Sequence, residues 1–162
     1  VDQRPSSKNH VSNDEPDSPG TTPVLVDGST LRLRLLTQDE ANPYGASCLD
    51  GSVPGFYFAN NTDVNAANKW VVYFKGGGWC FNETQCLERS KTNLGSSDYF
   101  TETYTLTGGP LATQNTHNPT FSSFNKALLY YCDGSSFTGD REDPINFHGE
   151  QLYFRGRRNL DA

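Results

Sequence analysis

The sequence predicts an α/β fold built around a mostly parallel sheet. Two runs of consecutive apolar residues, Trp70–Phe74 and 127–131, have the composition of strands that are covered on both faces. Loop material and a short helical stretch at residues 83–91 join them, which is typical of an α/β crossover. Only two or three core strands of this kind occur. We therefore expect the amino-terminal strands and first helices of such a sheet.

Length and charge restrict the class of partner. The chain has 162 residues, a formal net charge of −6 and a pI of about 4.9. Because an acidic surface repels phosphate, we expect no nucleic-acid partner. No apolar run reaches 18 residues, so we expect no membrane insertion in this segment. Methionine is absent even from position 1, so we expect a processed form or a fragment.

The chain divides into a leader and a folded part. Residues 1–23 contain four prolines and four serines but few aliphatic residues, so burial cannot offset the entropy of ordering them. We predict a disordered leader or stalk over residues 1–23, which could equally be a dispensable overhang. Residues 24–162 are predicted to form the amino-terminal portion of an α/β domain.

Local patterns predict the remaining elements. Residues 22–36 predict two short strands around a turn at Asp27 and Gly28. The second of these strands alternates leucine with arginine, which predicts one buried face and one solvent face. Another strand is expected at residues 55–58, and a long loop or insertion at residues 101–118. Residues 152–162 resemble the start of an amphipathic helix.

The four cysteines indicate an oxidising compartment. An even count fits two disulfides, and the cysteines are not spaced like the paired ligands of a zinc site, so we expect no metal. Two glycosylation sequons, at Asn60 and Asn82, also favour a secreted or extracellular location, although sequons often arise by chance.

Three consecutive glycines follow the first apolar strand. Gly76, Gly77 and Gly78 lie at its carboxyl end, which is the edge where open α/β sheets bind ligands. No Gly-Lys-Ser/Thr follows, as a phosphate-binding P-loop requires, and the third glycine of a dinucleotide fingerprint is missing. Two interpretations remain. One is an oxyanion hole made of backbone N–H groups, and the other is a tight turn beside a disulfide.

An ordered set of motifs resembles the pectin acetylesterase family, which also contains Notum. The resemblance covers about two-thirds of the chain, from Cys48 onward. The matching pieces are CLDGS at 48–52, KWVVYFKGGGWC at 69–80, CL at 86–87, LGSS at 94–97, NP at 118–119, YCDGSSFTGD at 131–140 and LYFRG at 152–156. Each piece is weak alone, but their order makes the set specific.

The resemblance implies a partial α/β-hydrolase fold and a serine esterase without a cofactor. It places the oxyanion hole on the backbone of Gly77 and Gly78, and it places Trp79 beside the acyl pocket. It also implies the disulfides Cys48–Cys132 and Cys80–Cys86. Lys75 departs from the family, because many members carry an acidic residue before the glycines.

A nucleophile is missing from the sequence. The family's serine lies in a G-x-S-x-G elbow after the helix that begins with L-x-F-R-G, and no such elbow occurs here. Two stretches, GSSFT at 134–138 and GSSDY at 95–99, begin like this elbow but lack its closing glycine, so we interpret their serines as turn residues. His117 and His148 precede the expected serine and are poor candidates for the base. We expect half of an esterase site and no turnover by this chain alone.

Three functional hypotheses remain open. The first is a secreted carboxylesterase acting on acylated polysaccharide, with acetylated pectin favoured over a Notum-like lipidated protein substrate. The second is a non-catalytic secreted module that binds a glycan or an acyl chain beside Trp79. The third is a truncated product that does not fold alone.

Overall fold

The computed structural model describes residues 30–61, 63–106 and 108–162. The predicted leader, and the turn at Asp27 and Gly28, lie outside the described residues. A five-stranded sheet has the order β3-β5-β2-β1-β4, and a separate hairpin pairs β6 with β7. The strands are β1 Thr30–Leu35, β2 Gly55–Ala59, β3 Trp70–Phe74, β4 Thr103–Thr105, β5 Asn125–Leu129, β6 Ile145–Phe147 and β7 Glu150–Leu152. The helices are α1 Gln38–Ala41, α2 Glu83–Ser90 and α3 Arg158–Asp161.

The sheet is mixed, with one parallel pair and three antiparallel pairs. The β3–β5 pair is parallel, as the two apolar runs predict, and the long crossover between these strands contains α2. The other three pairs, β1–β2, β1–β4 and β2–β5, are antiparallel. The connection from β1 to β2 contains only the four-residue α1, which is too short to serve as a crossover helix. The parallel part of the predicted sheet is therefore the β3–β5 pair.

The prediction that β3 is covered on both faces is wrong for the described residues. Its side chains at Trp70, Val72, Tyr73 and Phe74 are 43–51% exposed. Within the described residues, β3 lies at the edge of the sheet and pairs with β5 alone, so its other backbone edge is open there. An apolar run indicates that a strand can be buried, but it does not specify the strand's position in the sheet.

Two apolar clusters hold the fold together. One lies on the sheet and includes Leu31, Tyr57 and Leu128, each at most 2% exposed, with Tyr130 and Leu111 beside them. As predicted, β1 buries Leu31 and exposes its arginines, but the predicted buried face does not extend to Leu35, which is 39% exposed at the end of the strand. The second cluster joins α2 to the β6–β7 hairpin through residues that include Leu49, Cys86 and Leu152. This second cluster anchors α2 next to the segment that follows β3.

The carboxyl-terminal region differs from the predicted helix. Leu152 ends β7, and the helical part is limited to the short α3. The turn of the hairpin has positive φ at both His148 (53°) and Gly149 (85°), as in a two-residue turn whose twist matches that of the strands. His-Gly is a weaker turn signal than Asn-Gly, so the local pattern does not predict this hairpin.

Candidate functional site

The glycine segment leaves the sheet at the carboxyl end of β3. The N–H of Lys75 still donates to the carbonyl of Leu129 on β5, at 3.0 Å, so pairing continues one residue past the strand. Gly76, Gly77 and Gly78 follow and are all exposed. The N–H of Cys80 then bonds to the carbonyl of Gly134, at 3.2 Å, which ties the segment down again. We call residues 76–79 the glycine loop.

Side chains hold three successive carbonyls of the glycine loop. The guanidinium of Arg89 donates to the carbonyl of Gly77 at 3.0 Å and to that of Trp79 at 3.4 Å. The hydroxyl of Tyr131 donates to the carbonyl of Gly78. These three acceptors of the loop are therefore satisfied by protein groups.

The N–H donors of the same loop have no hydrogen-bond partner within the described residues. Among the residues that the structure describes, no acceptor bonds to the N–H groups of Gly76, Gly77, Gly78 or Trp79. Unpaired backbone N–H groups that face solvent can take an anionic oxygen as their partner. The loop thus has the polarity that an oxyanion hole requires.

Steric constraints differ among the three glycines. A Cβ on Gly77 would lie 2.6 Å from Cδ1 of Tyr131 and 2.9 Å from Cδ2 of Leu94. Gly78 has a φ of +73°, which disfavours any residue with a side chain. A Cβ on Gly76, in contrast, would have no neighbouring atom within 4 Å. The backbone therefore requires glycine at 77 and 78 but not at 76.

Two disulfides flank the site. Cys80 is bonded to Cys86 in the first half of α2, which fixes the glycine loop against that helix. Cys48 is bonded to Cys132, just past β5, and both of these cysteines are fully buried. Loop-closure entropy alone gives stabilisations of about 2.4 kcal/mol for the short closure and about 4.6 kcal/mol for the long one.

The indole of Trp79 lies beside an open cavity. Its ring is held by a hydrogen bond from Nε1 to Oγ of Ser136, at 2.5 Å, and the side chain is 53% exposed. The cavity has a volume of about 330 Å³ and is lined by Trp79, Cys80, Gln85, Glu88, Arg89, Thr92 and Leu94. The α2 side chains in this lining are polar.

Asp133 organises the loop that supports Trp79. Its Oδ2 accepts bonds from the N–H of Ser135 at 3.2 Å, the hydroxyl of Ser135 at 2.7 Å and the N–H of Phe137 at 2.9 Å. These bonds hold a segment in which Ser136 and Phe137 have φ values of 55° and 61°, in the left-handed region. Burial raises the pKa of the Asp133 carboxyl, although these hydrogen bonds act in the opposite direction.

The side chain of Lys75 packs over the ring of Tyr130. Its ammonium lies 4.8 Å from the ring centroid, within cation–π range. Burial lowers the pKa of Lys75, and burial among neighbouring tyrosines raises the pKa of Tyr130 to about 12. The residue that departs from the family therefore packs against the sheet.

The structure brings some predicted residues together and leaves others apart. Gly77, Gly78 and Trp79 lie in one loop, next to the Cys80–Cys86 disulfide. His117 and His148 are exposed on other loops. The predicted glycosylation residues Asn60 and Asn82 are exposed, and the Asn82 side chain caps α2 by accepting from the N–H of Gln85 at 2.9 Å.

Sequence reasoning missed Arg89, Tyr131 and Ser136. Arg89 follows Cys86 by three residues, so helical periodicity together with the Cys80–Cys86 bond could have placed it at the glycine loop. The other two are more than 50 residues from their partners in the loop, and no local pattern connects them. Within residues 30–61, 63–106 and 108–162, no cluster of His, Cys, Asp or Glu side chains could hold a metal ion. No helix of this part is long and apolar enough to cross a membrane.

Comparison with known proteins identifies relatives of two kinds. Residues 27–162 match the family model for pectinacetylesterase. Pectin acetylesterase 5 of Arabidopsis thaliana is 36% identical over 140 residues, which cover 86% of this chain and 32% of that protein. Pectin acetylesterase 11 of the same plant is 41% identical, over 83% of this chain and 33% of that protein. This chain therefore spans about one third of the length of these relatives.

The second kind of relative is a protein deacylase. The palmitoleoyl-protein carboxylesterase Notum of Schmidtea mediterranea is 34% identical over 75% of this chain and 22% of that protein. The solved structure of the Wnt deacylase Notum from Drosophila superimposes with a TM-score of 0.68 and 28% identity. The match covers 82% of this chain and 36% of that chain.

Proposed function

This chain belongs to the pectinacetylesterase family and has part of the α/β-hydrolase fold, and from that premise we propose that it forms the oxyanion half of a serine carboxylesterase site. The N–H groups of Gly77 and Gly78 are the proposed donors to the tetrahedral intermediate. The catalytic triad of serine, histidine and aspartate that completes this site is proposed to come from sequence outside residues 1–162, because no G-x-S-x-G occurs within them.

One observation carries the proposal. The glycine loop presents exposed N–H groups that bond to no acceptor in the described part of the chain, whereas Arg89 and Tyr131 hold its carbonyls. A hydrogen-bonded tight turn, which is the other interpretation of the three glycines, would use these N–H groups in its own bonds, and no such bond occurs in the described part of the chain. Donors arranged in advance need no reorganisation when charge develops on the substrate oxygen.

Catalysis would proceed through an acyl-enzyme. The serine oxygen attacks the ester carbonyl while the histidine takes the serine proton, and the carbonyl oxygen becomes negatively charged and accepts hydrogen bonds from the N–H groups of Gly77 and Gly78. The alcohol of the sugar then leaves with a proton from the histidine, and water releases the acid. The two donors would contribute a factor of about 10²–10³ each to the rate.

We propose acetyl esters of pectin-type polysaccharide as substrate, in a secreted protein. The cavity beside Trp79 is lined by the polar side chains of Gln85, Glu88 and Arg89. A long hydrocarbon chain there would desolvate these groups without giving them hydrogen bonds, whereas the hydroxyls of a polysaccharide could hydrogen-bond to them. The exposed indole offers a flat surface on which a sugar ring can stack. The two disulfides support an oxidising compartment.

The substrate assignment is tested with two esters. We expect the full-length protein to release acetate from acetylated polygalacturonate with a far higher kcat/KM than it shows for 4-nitrophenyl palmitate. The opposite preference would replace the acetyl assignment with a Notum-like deacylase. Hydrolysis of neither ester would contradict the hydrolase proposal.

The alternative is a binding module that uses the same surface. The exposed Trp79 beside an open cavity is the observation that favours it. Such a module would bind galacturonate oligomers, detected by calorimetry, with no ester hydrolysis in the full-length protein, and Trp79→Ala would abolish that binding.

A further inference from the structure

We propose that Arg89 is a positioning residue that sets the direction of the Gly78 N–H group in the proposed oxyanion hole. This inference rests on the proposed function and names a residue outside the catalytic triad and outside the glycine loop. Arg89 lies in the last turn of α2, twelve residues after Gly77 in sequence.

The peptide bond between Gly77 and Gly78 connects the guanidinium to the donor. In a trans peptide the C=O of one residue and the N–H of the next point in opposite directions. Peptide bonds in the described part of the chain are all trans. Because Arg89 Nη1 holds the carbonyl of Gly77 at 3.0 Å, the N–H of Gly78 must point away from the guanidinium.

Without this bond the peptide would be free to rotate. Glycine on both sides removes the Cβ contacts that normally restrict φ and ψ, so a flip of the whole peptide unit costs little. A flipped peptide would turn its carbonyl oxygen toward the developing oxyanion and repel it. The bond from Arg89, together with the Tyr131 bond to the next carbonyl, selects the orientation that presents the donor.

The charge of Arg89 also polarises the peptide. A guanidinium that donates to a carbonyl withdraws electron density, which strengthens the N–H of the same peptide as a donor. Among the described residues, Arg89 forms no ion pair with a carboxylate. Its hydrogen bonds to the loop carbonyls are therefore made without competition from a carboxylate ion pair.

The position of Arg89 is itself fixed from several sides. Asn82 caps the start of α2, and the Cys80–Cys86 disulfide joins this helix to the glycine loop. The guanidinium lies 5.9 Å from the ring centroid of the buried Tyr131. Its second hydrogen bond, to the carbonyl of Trp79 at 3.4 Å, spans the loop.

Kinetics of the full-length protein with 4-nitrophenyl acetate test the proposal. We expect Arg89→Met to lower kcat about 10–100-fold with KM within about twofold, because the lost interaction acts on the transition state only. Arg89→Lys, which can still donate to the Gly77 carbonyl, should recover part of the loss. Arg157→Met, on an exposed arginine elsewhere, is the matched control and should leave both constants unchanged. A wild-type kcat in Arg89→Met, or a change confined to KM, would overturn the proposal.

A second readout separates this inference from the proposed function. In ¹H–¹⁵N spectra of the full-length protein, Arg89→Met should move the Gly78 amide resonance, and Arg157→Met should not. If the wild type hydrolyses no ester, the hydrolase proposal fails and this spectrum alone decides whether Arg89 orients the Gly78 peptide. An unmoved Gly78 resonance in a folded Arg89→Met protein would overturn the positioning role.

Discussion

The steric difference between Gly76 and Gly77 gives a sharp prediction. The two glycines are neighbours in the same exposed loop, so an alanine substitution makes the same chemical change at each. A Cβ at position 76 meets nothing within 4 Å, whereas one at position 77 lies 2.6 Å from Cδ1 and 2.9 Å from Cε1 of Tyr131. We predict that Gly77→Ala is the more destabilising of the two.

The magnitude follows from these contacts. Nonbonded carbon atoms rest at about 3.5–4.0 Å, so the Tyr131 ring or the loop must move by about 1 Å. Tyr131 is fully buried, and its hydroxyl is bonded to the Gly78 carbonyl, so the ring cannot move alone. Overpacking of this kind costs about 1–3 kcal/mol. Gly76 is not among the positive-φ glycines, so Gly76→Ala should be neutral or add about 0.4–1 kcal/mol of stability by reducing the entropy of the unfolded chain.

Urea denaturation of the two variants measures the difference. We expect the free energy of unfolding of Gly77→Ala to fall below that of Gly76→Ala by about 1–4 kcal/mol, combining both ranges. In activity assays of the full-length protein, Gly77→Ala should also lower kcat, because the glycine loop must shift to accommodate the new methyl group. Equal denaturation midpoints for the two variants would refute the close approach of Gly77 to Tyr131, and with it the placement of the glycine loop.

Three further predictions concern the disulfides, the buried carboxyl and the missing nucleophile. Replacing Cys80 and Cys86 with serine should lower the free energy of unfolding by about 2 kcal/mol, and replacing Cys48 and Cys132 should lower it about twice as much; equal losses in urea would contradict the loop-length argument. Because the folded pKa of Asp133 is raised, the folded state holds its proton to higher pH than the unfolded chain does. The free energy of unfolding of the wild type, measured relative to Asp133→Asn, should therefore fall as pH rises from the ordinary Asp pKa through the folded pKa. If denaturation at a series of pH values shows it rising over this range, the raised pKa is contradicted. The 162-residue chain alone should hydrolyse no 4-nitrophenyl acetate above background, and measurable turnover would reveal a nucleophile within it.

The sequence predicts the local elements of this fold better than their arrangement. The strand at Trp70–Phe74 and the helix at Glu83–Ser90 follow from composition and periodicity over short stretches. The edge position of β3 depends on which strands pair with it, and that is a nonlocal property. The hairpin around His148 escapes prediction for a different reason, because its short strands and its His-Gly turn give only weak local signals.

The candidate site shows the same division. The family resemblance assigns roles to Gly77, Gly78 and Trp79, which are consecutive in sequence. Such a local motif is sufficient because backbone donors need only a glycine-rich segment after a strand. The groups that orient them come from other parts of the chain. Ser136 reaches Trp79 across 57 positions, and Tyr131 reaches Gly78 across 53. Such contacts depend on the folded sheet and carry no local signature.

The most direct test of the oxyanion role removes one donor and leaves the side chains unchanged. Incorporating glycolic acid at position 78 replaces the Gly78 peptide N–H with an ester oxygen, and the same replacement at position 76 is the control. We predict that the change at 78 lowers kcat for acetyl ester hydrolysis by the full-length protein about 10²–10³-fold, with little effect at 76. A full-length protein that keeps its kcat without the Gly78 N–H would contradict the proposed role of the glycine loop in holding the oxyanion.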